Sequence, residues 1–298
     1  MEWLTTIRAV IDYIESHIKD NISVGEIAEA VYMSPFFLER GFSVMTGYTI
    51  GEYIRNRKMY LAGIELQQTK KKVIDIALDY GYETPESFTK AFTRFHNATP
   101  TEVRRGVPLK TFLPLTINIV IQGGKEMNYK ITPLFPFKVI GFERVFKMET
   151  AQQEIPKFWD EICEKYCYPR IYKGLPAENA YEQAIMDNCI GEYGVCIDDL
   201  GDQEFRYLIA GKYTGGAVPD GMVIYEFPRN LWAIFDCVGP NPETLQSINT
   251  KIFKEWLPGN QEYEICGNAN IEWYDCTGDM RDSDYHSQIW IPVRQKTN

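Results

Sequence analysis

Two short segments of the chain place charged, hydroxyl and aromatic side chains at matching positions, and these residue types can contact the bases of DNA. Arg40 and Lys90 lie at equivalent offsets in a phrase that occurs twice, as "IAEAVYMSPFFLERGF" at 27–42 and "IALDYGYETPESFTKAF" at 76–92. An arginine can donate two hydrogen bonds to one guanine, while hydroxyl and apolar groups can contact other base edges. The repeated phrase therefore predicts two DNA-reading segments.

We expect the second helix of each phrase to expose its first turns, where such helices contact base edges in the major groove. In the first phrase the residues expected to be exposed are Phe36, Phe37, Glu39 and Arg40. In the second phrase they are Pro85, Glu86, Ser87, Thr89, Lys90 and Arg94. Both phenylalanines could belong to the core, but a turn that already buries Leu38 and Phe42 predicts that one of them faces thymine methyl groups. The alternative for Arg40 and Lys90 is a solvated charge without a binding role.

The elements that must position these side chains follow the pattern of a helix-turn-helix. Aligned at an offset of 49 to 50 residues, the two phrases share an Ile-Ala pair, a hydroxyl residue before proline, and two apolar anchors four residues apart. Ser34-Pro35 and Thr84-Pro85 each predict a helix start, because proline is tolerated at the first helical position. One such match is weak, since many helical hairpins share it. Two matches at a fixed spacing in an all-helical segment are specific.

The segment between the phrases, "TIGEYIRNRKMYLAGIELQQT", is predicted to form one helix of about 20 residues, about 30 Å long. A rigid connector of that length can hold two reading helices about 34 Å apart, which is one turn of duplex DNA. Basic residues on this helix and at the end of the helical region would contact phosphates and set register rather than sequence. These residues are Arg55, Arg57, Lys58, Arg104 and Arg105. Simple solvation is the alternative for each.

Length, composition and charge place these segments in a globular chain of two or three domains. The chain has 298 residues, of which 45% are hydrophobic and 14% aromatic. Its net charge of −10 does not exclude a DNA-binding part, because residues 1–110 hold 14 basic and 14 acidic side chains and the whole excess of acid follows them.

Beyond residue 107 the pattern changes from helical spacing to alternation typical of strands. Segments such as "EFRYLIAGKYTG", "NIEWYD" and "SQIWIPVRQ" predict strands, and "EIPKFWDEICEKYC" and "NPETLQSINTKIFKEWL" predict helices. We therefore expect an all-helical double helix-turn-helix domain followed by an α+β domain of two pseudo-repeated strand-helix-strand-strand units around a cleft. The predicted bounds are 1–108 for the helical domain, 109–126 for a linker and 127–298 for the α+β domain.

Cysteine, histidine and apolar patterns restrict the remaining classes. The seven cysteines lack a CxxC pair and are expected to be reduced thiols, with Cys163 and Cys167 close enough on one helix for redox or metal chemistry. Only three histidines occur, far apart, which disfavours a metal site, and no cofactor is expected. The chain lacks an apolar run of 18 residues and a signal-peptide pattern. It is therefore expected to be cytoplasmic, without membrane contact.

Three segments of the first half, "YIRNRKMYLAGIELQQT", "VIDIALDYGYETPESFTKAF" and "ATPTEVRR", resemble the double helix-turn-helix module of AraC/XylS-type transcription regulators over roughly residues 5–106. The resemblance implies that both reading helices bind consecutive major-groove segments of one asymmetric site. Glu39 and Glu86 depart from the family, whose members often carry Gln there. That departure suggests cytosine contacts or solvent exposure at these positions.

The segments "NLWAIFDCVGPNPETLQSINTKIFKEWLPGNQEYEI", "NIEWYD" and "SQIWIPV" resemble the GyrI-like ligand-binding domain found in drug-responsive regulators. The resemblance implies a cleft for amphipathic or cationic small molecules, with Glu272 in one acidic position and Gln288 in the other, where relatives usually carry Glu. By strand alternation Tyr274 shares a face with Glu272, and Trp290 shares one with Gln288. Tyr225 and Trp232 are further aromatic residues that could line the cleft, although core packing is the alternative for each.

Together these features predict a one-component transcription regulator rather than an enzyme, binding double-stranded DNA and a small amphipathic or aromatic effector. Effector binding would change how the helical domain engages promoter DNA or RNA polymerase. Two alternatives remain: a small-molecule hydrolase with Glu272 as base, and a drug-sequestering protein. No hydrolase motif or phosphate loop supports the former, and retained base-contact candidates disfavour the latter.

Overall fold

The structure, a computed structural model, describes residues 3–117, 127–201 and 204–296. These residues divide into two compact units, one of 3–32 and 38–117, the other of 33–37, 127–201 and 204–296. Of the predicted linker 109–126, residues 118–126 lie outside the described part.

The first unit is helical, as its periodicity predicted. Its helices are α1 (Trp3–Ser16), α2 (Val24–Ala30), α3 (Pro35–Thr46), α4 (Ile50–Gln68), α5 (Val73–Asp79), α6 (Pro85–His96) and α7 (Pro100–Arg104). The connector predicted between the two phrases is α4, a single helix of 19 residues.

Local capping explains where several of these helices begin. Ser23 and Glu26 form the expected capping box at α2, and Thr99 and Glu102 form one at α7. The Thr84 hydroxyl accepts the N–H of Ser87 at 3.2 Å at the start of α6. Each cap satisfies backbone N–H groups that the first helical turn leaves unpaired.

Each phrase has its own apolar core. In the second, Ile76 and Ala77 of α5 pack with Phe88 and Phe92 of α6, and all four are essentially inaccessible to solvent. Ile27 and Ala28 of α2 and Leu38 and Phe42 of α3 are buried to the same degree in the first. The small alanine of each pair permits close approach of the two helices.

The chain after α7 folds back onto the helical unit. Leu109 and Phe112 pack against the core of the second phrase, and the N–H of Lys110 donates to His96 Nδ1 at 3.1 Å. Gly63 makes this approach possible, because a Cβ there would lie 2.5 Å from the Leu109 side chain. Residues at the start of the predicted linker thus contribute to the helical unit.

The second unit combines one antiparallel sheet with helices. Its strands are β1 (Tyr129–Leu134), β2 (Phe137–Lys147), β3 (Tyr193–Gly201), β4 (Glu204–Lys212), β5 (Met222–Phe227), β6 (Asn230–Val238), β7 (Tyr263–Ile265), β8 (Ala269–Tyr274) and β9 (His286–Gln295). Its helices are α8 (Ala151–Ile162), α9 (Ala180–Asn188), α10 (Glu243–Lys251) and α11 (Leu257–Gly259). A π-helical turn follows α8 at Cys163–Cys167 and α10 at Ile252–Trp256.

The strands of the sheet follow the order β1-β6-β9-β8-β3-β4-β2-β5, with β7 paired to β9. Helices cover one face, where Phe158 of α8 contacts Phe146 of β2 and Trp256 contacts Phe235 of β6. We call this the helix-covered face and the other the opposite face. Sequence patterning missed β3, β7 and α9. Strand β3 is central, between β8 and β4, and therefore decides which side chains meet.

Candidate nucleic-acid interface and candidate effector site

Helix α6 presents the side chains predicted to read DNA on the side away from its core. Phe88, Phe92 and Phe95 are buried, whereas a second set is exposed along the helix. The exposed set is Glu86, Ser87, Lys90 and Arg94, with Pro85 and Thr89 half-buried beside it. Glu86, Lys90 and Arg94 follow each other at intervals of four residues, which places them in one row. The row combines hydrogen-bond acceptors and donors suited to base edges.

Helix α3 differs from the prediction, because three of the four residues expected to be exposed are buried. Phe36 is 6% exposed, Phe37 1% and Glu39 7%. Phe36 and Phe37 contact each other edge to face at a ring separation of 5.5 Å, beside the buried Leu38. The expectation that a helix turn could not bury both phenylalanines was wrong. Three consecutive apolar side chains, those of residues 36–38, are removed from water here. Arg40 is half-buried.

Glu39 has a structural partner instead of a base. Its Oε1 accepts the backbone N–H of Ile50 at 3.0 Å, so it satisfies one of the free amides at the start of α4. Its Oε2 is buried without a hydrogen-bond partner among the described residues. Burial raises the pKa of Glu39 to about 7, although the Ile50 N–H opposes that shift and the nearby Glu52 adds to it. The predicted cytosine contact is therefore replaced by a helix-capping role.

Two of the basic residues assigned to phosphates on α4 are also buried. Arg57 is 4% exposed and Lys58 9%. Arg57 donates through Nε and Nη2 to the two oxygens of Glu15 at 2.8 and 2.7 Å, and through Nη1 to the carbonyl of Phe112. Lys58 Nζ donates to the carbonyl of Asp20 at 3.0 Å. These charges face the protein because α1 and the chain after α7 pack on that side of α4, so the phosphate assignment was wrong for both.

Three further basic residues remain accessible. Arg55 of α4 and Arg105 after α7 are exposed, as predicted. Arg104 is exposed too, and its guanidinium donates to the carbonyl of Lys71. The exposed row on α6, together with Arg55, Arg104 and Arg105, is the part of the predicted DNA-binding surface that is accessible to solvent in the helical unit.

In the second unit Glu272 and Tyr274 share the helix-covered face, as alternation along β8 predicted. The Tyr274 hydroxyl donates to Glu272 Oε2 at 2.8 Å. Trp159 of α8 lies over the pair, with its ring 5.6 Å from that of Tyr274 and its Nε1 donating to the hydroxyl of Tyr207 at 3.0 Å. Gly194 of β3 makes room for this contact, because a Cβ there would lie 2.3 Å from the Tyr207 hydroxyl. The result is a carboxylate hydrogen-bonded to one member of a group of three aromatic side chains.

The environment of this cluster disfavours further negative charge. Burial raises the pKa of Tyr274 well above its ordinary value, and the charge of Glu272 raises it further. The same two causes act in the same order on Tyr207. Asn270, two residues before Glu272 on β8, is buried, and its Oδ1 has no hydrogen-bond partner among the described residues. Acceptors thus collect beneath α8, which suits a donor or a cation more than an anion.

The other four predicted ligand residues lie on the opposite face of the sheet. Gln288 pairs directly with Trp273 and with Asp236, whereas Glu272 pairs with Ile289. Neighbouring side chains on a strand point to opposite faces, so Gln288 and Glu272 cannot line one cleft. The residues that accompany Gln288 on its face are Trp290, Trp232 and Tyr225. The prediction of one shared cleft for all six residues was therefore wrong.

The opposite face has a hydrogen-bond chain of its own. Trp290 Nε1 donates to Gln288 Oε1 at 2.8 Å, and Gln288 Nε2 donates to Asp236 Oδ1 at 2.7 Å. Trp232 is fully buried in the adjacent apolar cluster. Core packing, the alternative considered for Trp232, is what the structure shows.

Sequence reasoning missed two members of the Glu272 cluster, Trp159 and Gly194. Counting alternate residues back from Glu272 along β8 identifies Asn270. The neighbours of Glu272 on β3 and β4 could be identified only from the pairing of the strands. Within the described ranges no group of three or more His, Cys, Asp or Glu side chains could hold a metal ion. No helix in those ranges has both the length and the apolar composition to cross a membrane.

Comparison with known proteins gives two matches along the chain. Residues 130–293 match a family described as integron-associated effector binding protein, and residues 27–106 match one described as a helix-turn-helix domain. The regulatory protein SoxS of Salmonella typhimurium is 36% identical over 98 residues, which are 33% of this chain and 92% of SoxS. The transcriptional regulator Rob of the same organism is 31% identical over 112 residues, 38% of this chain and 39% of Rob. Both relatives are named as regulators and not as enzymes, in agreement with the expectation.

One solved structure that is similar to part of this chain is an integron cassette protein from the mobile metagenome of Vibrio cholerae. It has a TM-score of 0.38 and 14% sequence identity, and the match covers 56% of this chain and 95% of that chain.

Proposed function

The chain belongs to the integron-associated effector binding protein family and carries an AraC-type helix-turn-helix domain, and we propose that it regulates transcription in response to an amphipathic cation. The family match spans residues 130–293, more than half of the chain. The helix-turn-helix domain supplies binding to double-stranded DNA. What the proposal adds is the reading surface, the ligand class and the place where the ligand binds.

For DNA the proposal assigns base reading to the exposed row of α6, Glu86, Lys90 and Arg94, and to Arg40 of α3. Arg55 and Arg105 would contact phosphates, because both are exposed. Phosphate contacts do not depend on the base sequence. The two reading helices differ in sequence and in exposed residues. The site they recognise would therefore be asymmetric, with two consecutive major-groove segments separated by about 34 Å. The proposed bounds are 1–108 for the DNA-binding domain, 109–126 for the linker and 127–298 for the effector-binding domain.

For the effector the proposal assigns the Glu272 cluster on the helix-covered face. Three aromatic rings and one carboxylate supply apolar contact, cation–π attraction and a counter-charge for the same ligand. Glu272 already acts on its neighbours, since its charge raises the pKa of both Tyr207 and Tyr274. The hydrogen bond between Glu272 and Tyr274, whose ring contacts Trp159, is the single observation that carries the ligand assignment.

Helix α8 would have to shift for a ligand to reach Glu272, and its sequence weakens it. Pro156 lies inside α8, where it removes one intrahelical hydrogen bond, and the helix ends in the π-helical turn Cys163–Cys167. In each half of the second unit a strand leads into a helix that continues as a π-helical turn, β2 into α8 and β6 into α10. We regard these halves as pseudo-repeats, with the effector site under the helix of the first.

The experiment is a pair of measurements on the full chain. Calorimetry would compare aromatic quaternary ammonium ions with neutral isosteres in which carbon replaces the charged nitrogen, for wild type and for Glu272→Gln. Selection of DNA fragments followed by footprinting would identify a protected asymmetric site of about 20 base pairs, spanning two major-groove segments.

A preference for the cation in wild type, reduced at least tenfold in Glu272→Gln, supports the ligand assignment. Equal affinity for cation and isostere would rule out a cation sensor while leaving the DNA assignment intact. A symmetric footprint, or protection that does not depend on sequence, would contradict the proposed reading surface. Adding the cation during footprinting then shows whether the ligand changes promoter binding.

A further inference from the structure

Two cysteines of the second unit lie together on the π-helical turn that follows α8. Cys163 begins the turn and Cys167 ends it, and the N–H of Tyr168 donates to the Cys163 carbonyl at 2.8 Å, which closes the wide turn. Cys167 and Tyr172 are the two neighbours that lower the pKa of the Cys163 thiol. Cys163 is half-exposed, whereas Cys167 is buried. One thiol is therefore partly accessible to solvent, and the other is not.

The surroundings make the two sulfurs unequal. Cys167 lowers the pKa of Cys163, and burial opposes that shift. The Tyr172 hydroxyl lowers the pKa of Cys163 further, and Asp160 raises it. The same thiol–thiol contact raises the pKa of Cys167, with burial and the more distant Cys276 acting in the same direction. The charge of Cys163 also raises the pKa of Tyr168. A thiolate forms more readily at the accessible sulfur than at the buried one, and the thiolate is the reactive species.

We propose that Cys163 and Cys167 form an oxidation site, at which Cys163 reacts with hydrogen peroxide and Cys167 then closes an intramolecular disulfide. In the first step the Cys163 thiolate attacks one peroxide oxygen, the O–O bond breaks and hydroxide leaves, giving a sulfenic acid. In the second step the sulfur of Cys167 attacks that of Cys163. The S–O bond breaks, and the departing hydroxide takes up the Cys167 proton as water. The two sulfurs lose two electrons in total, and one peroxide becomes two waters.

The site's geometry indicates what closure requires. Side chains four residues apart on a helix hold their Cβ atoms about 5–6 Å apart, whereas a disulfide holds them at about 3.8 Å. The turn must therefore tighten as the bond forms. A turn that is already irregular resists this less than a regular helix, because it has fewer ideal hydrogen bonds to lose.

The sequence offers a direct assay for this disulfide. Lys165 lies between the two cysteines, so trypsin separates them into the peptides Phe158–Lys165 and Tyr166–Arg170. Full-length reduced protein would be treated with one to five equivalents of peroxide, quenched, blocked with N-ethylmaleimide and digested without reductant. We expect these two peptides to be recovered as one disulfide-linked species from protein that still runs as a monomer on a non-reducing gel.

Two variants test the roles of the partners. In Cys167→Ser we expect a Cys163 sulfenic acid that dimedone traps, with no linked peptide pair. In Tyr172→Phe both thiols remain, and we expect Cys163 to react severalfold more slowly near neutral pH and to recover its rate as pH rises. The exposed Cys189 serves as an internal reference thiol.

Three outcomes would overturn the proposal. The first is absence of the linked pair at peroxide levels that oxidise Cys189. The second is a linked pair found only in covalent dimers, which would make the bond intermolecular. The third is a rate and pH profile in Tyr172→Phe equal to those of wild type, which would remove the reason for the preference for Cys163.

Discussion

Arg57 and Glu15 form a two-pronged ion pair between α4 and α1, with both nitrogen-to-oxygen distances below 3 Å. Burial tends to raise the pKa of Glu15, but the hydrogen bonds from Arg57 and Tyr53 outweigh it and leave that pKa below its ordinary value. The pair therefore connects two helices of the DNA-reading unit. An arginine that looked suited to a phosphate is part of the protein's own structure.

Replacing Arg57 should accordingly cost stability. We expect Arg57→Ala to lower the free energy of unfolding by about 3–5 kcal/mol, because it leaves the Glu15 carboxylate partly buried without its partner. The neighbouring Arg55→Ala is the matched control, and as an exposed position it should change stability by no more than about 0.5 kcal/mol. Urea denaturation followed by circular dichroism measures both. Equal stability of the two variants would contradict the structural role.

The Arg55→Ala variant also tests the phosphate assignment. If Arg55 contacts a phosphate, affinity should fall to a similar extent on specific and unrelated DNA, and the slope of log affinity against log salt should decrease by about 1. Fluorescence anisotropy at four or more salt concentrations provides the slope. An unchanged slope would mean that Arg55 does not approach the backbone.

Glu39 should make the stability of the helical unit depend on pH. Its pKa in the folded state is about 7, above its ordinary value, so folding favours the protonated form and stability falls as pH rises toward and through 7. We expect Glu39→Gln, which can still accept the Ile50 N–H, to gain up to about 3 kcal/mol over wild type above that pH, with little difference near pH 4. Denaturant unfolding at several pH values measures the gap.

Glu102 provides the control of opposite sign for that experiment. Hydrogen bonds from Thr99 at the α7 capping box lower the pKa of Glu102. Its contribution to stability should therefore be present at neutral pH and disappear as pH falls, so Glu102→Gln should be the less stable protein at neutral pH. If both variants shifted in the same direction, the assigned protonation of Glu39 would be wrong.

The exposed row of α6 should carry sequence preference. We expect Lys90→Ala and Arg94→Ala each to weaken binding to the selected DNA site by about 1–3 kcal/mol if they contact a base edge, with a change of preferred base at one position. Stability should stay unchanged because both residues are exposed. Repeating the DNA selection with each variant identifies the altered position. A uniform loss on all sequences would assign the residue to a phosphate instead.

The two faces of the sheet should respond differently to charge. We expect Glu272→Gln to lower the affinity for an aromatic cation at least tenfold, about 1.4 kcal/mol. Gln288→Glu adds a carboxylate on the opposite face and should leave that affinity within about twofold, because its side chain points away from the Glu272 cluster. Titration calorimetry on the full chain compares them. A gain in cation affinity in Gln288→Glu would place the ligand on the opposite face.

Local sequence was sufficient to predict most of the helical unit. Hydroxyl residues before prolines, capping boxes and apolar spacing of three and four residues act within one or two turns, and the helices begin where these signals lie. The Ile-Ala pairs and their anchors formed the two cores as expected. Alternation likewise paired Glu272 with Tyr274 and Gln288 with Trp290 correctly.

Tertiary structure alone decided which residues of different strands and helices come into contact. The burial of Arg57 depends on Glu15 and Phe112, which lie 42 and 55 residues away in sequence, and no local pattern distinguishes it from the exposed Arg55. Glu272 and Gln288 separate because the register of β8 and β9 pairs Gln288 with Trp273, one residue beyond Glu272. A shift of one residue moves a side chain to the other face. The sequence therefore determined the family and most of the helices and strands, while packing and register decided which charges remain available for DNA and ligand.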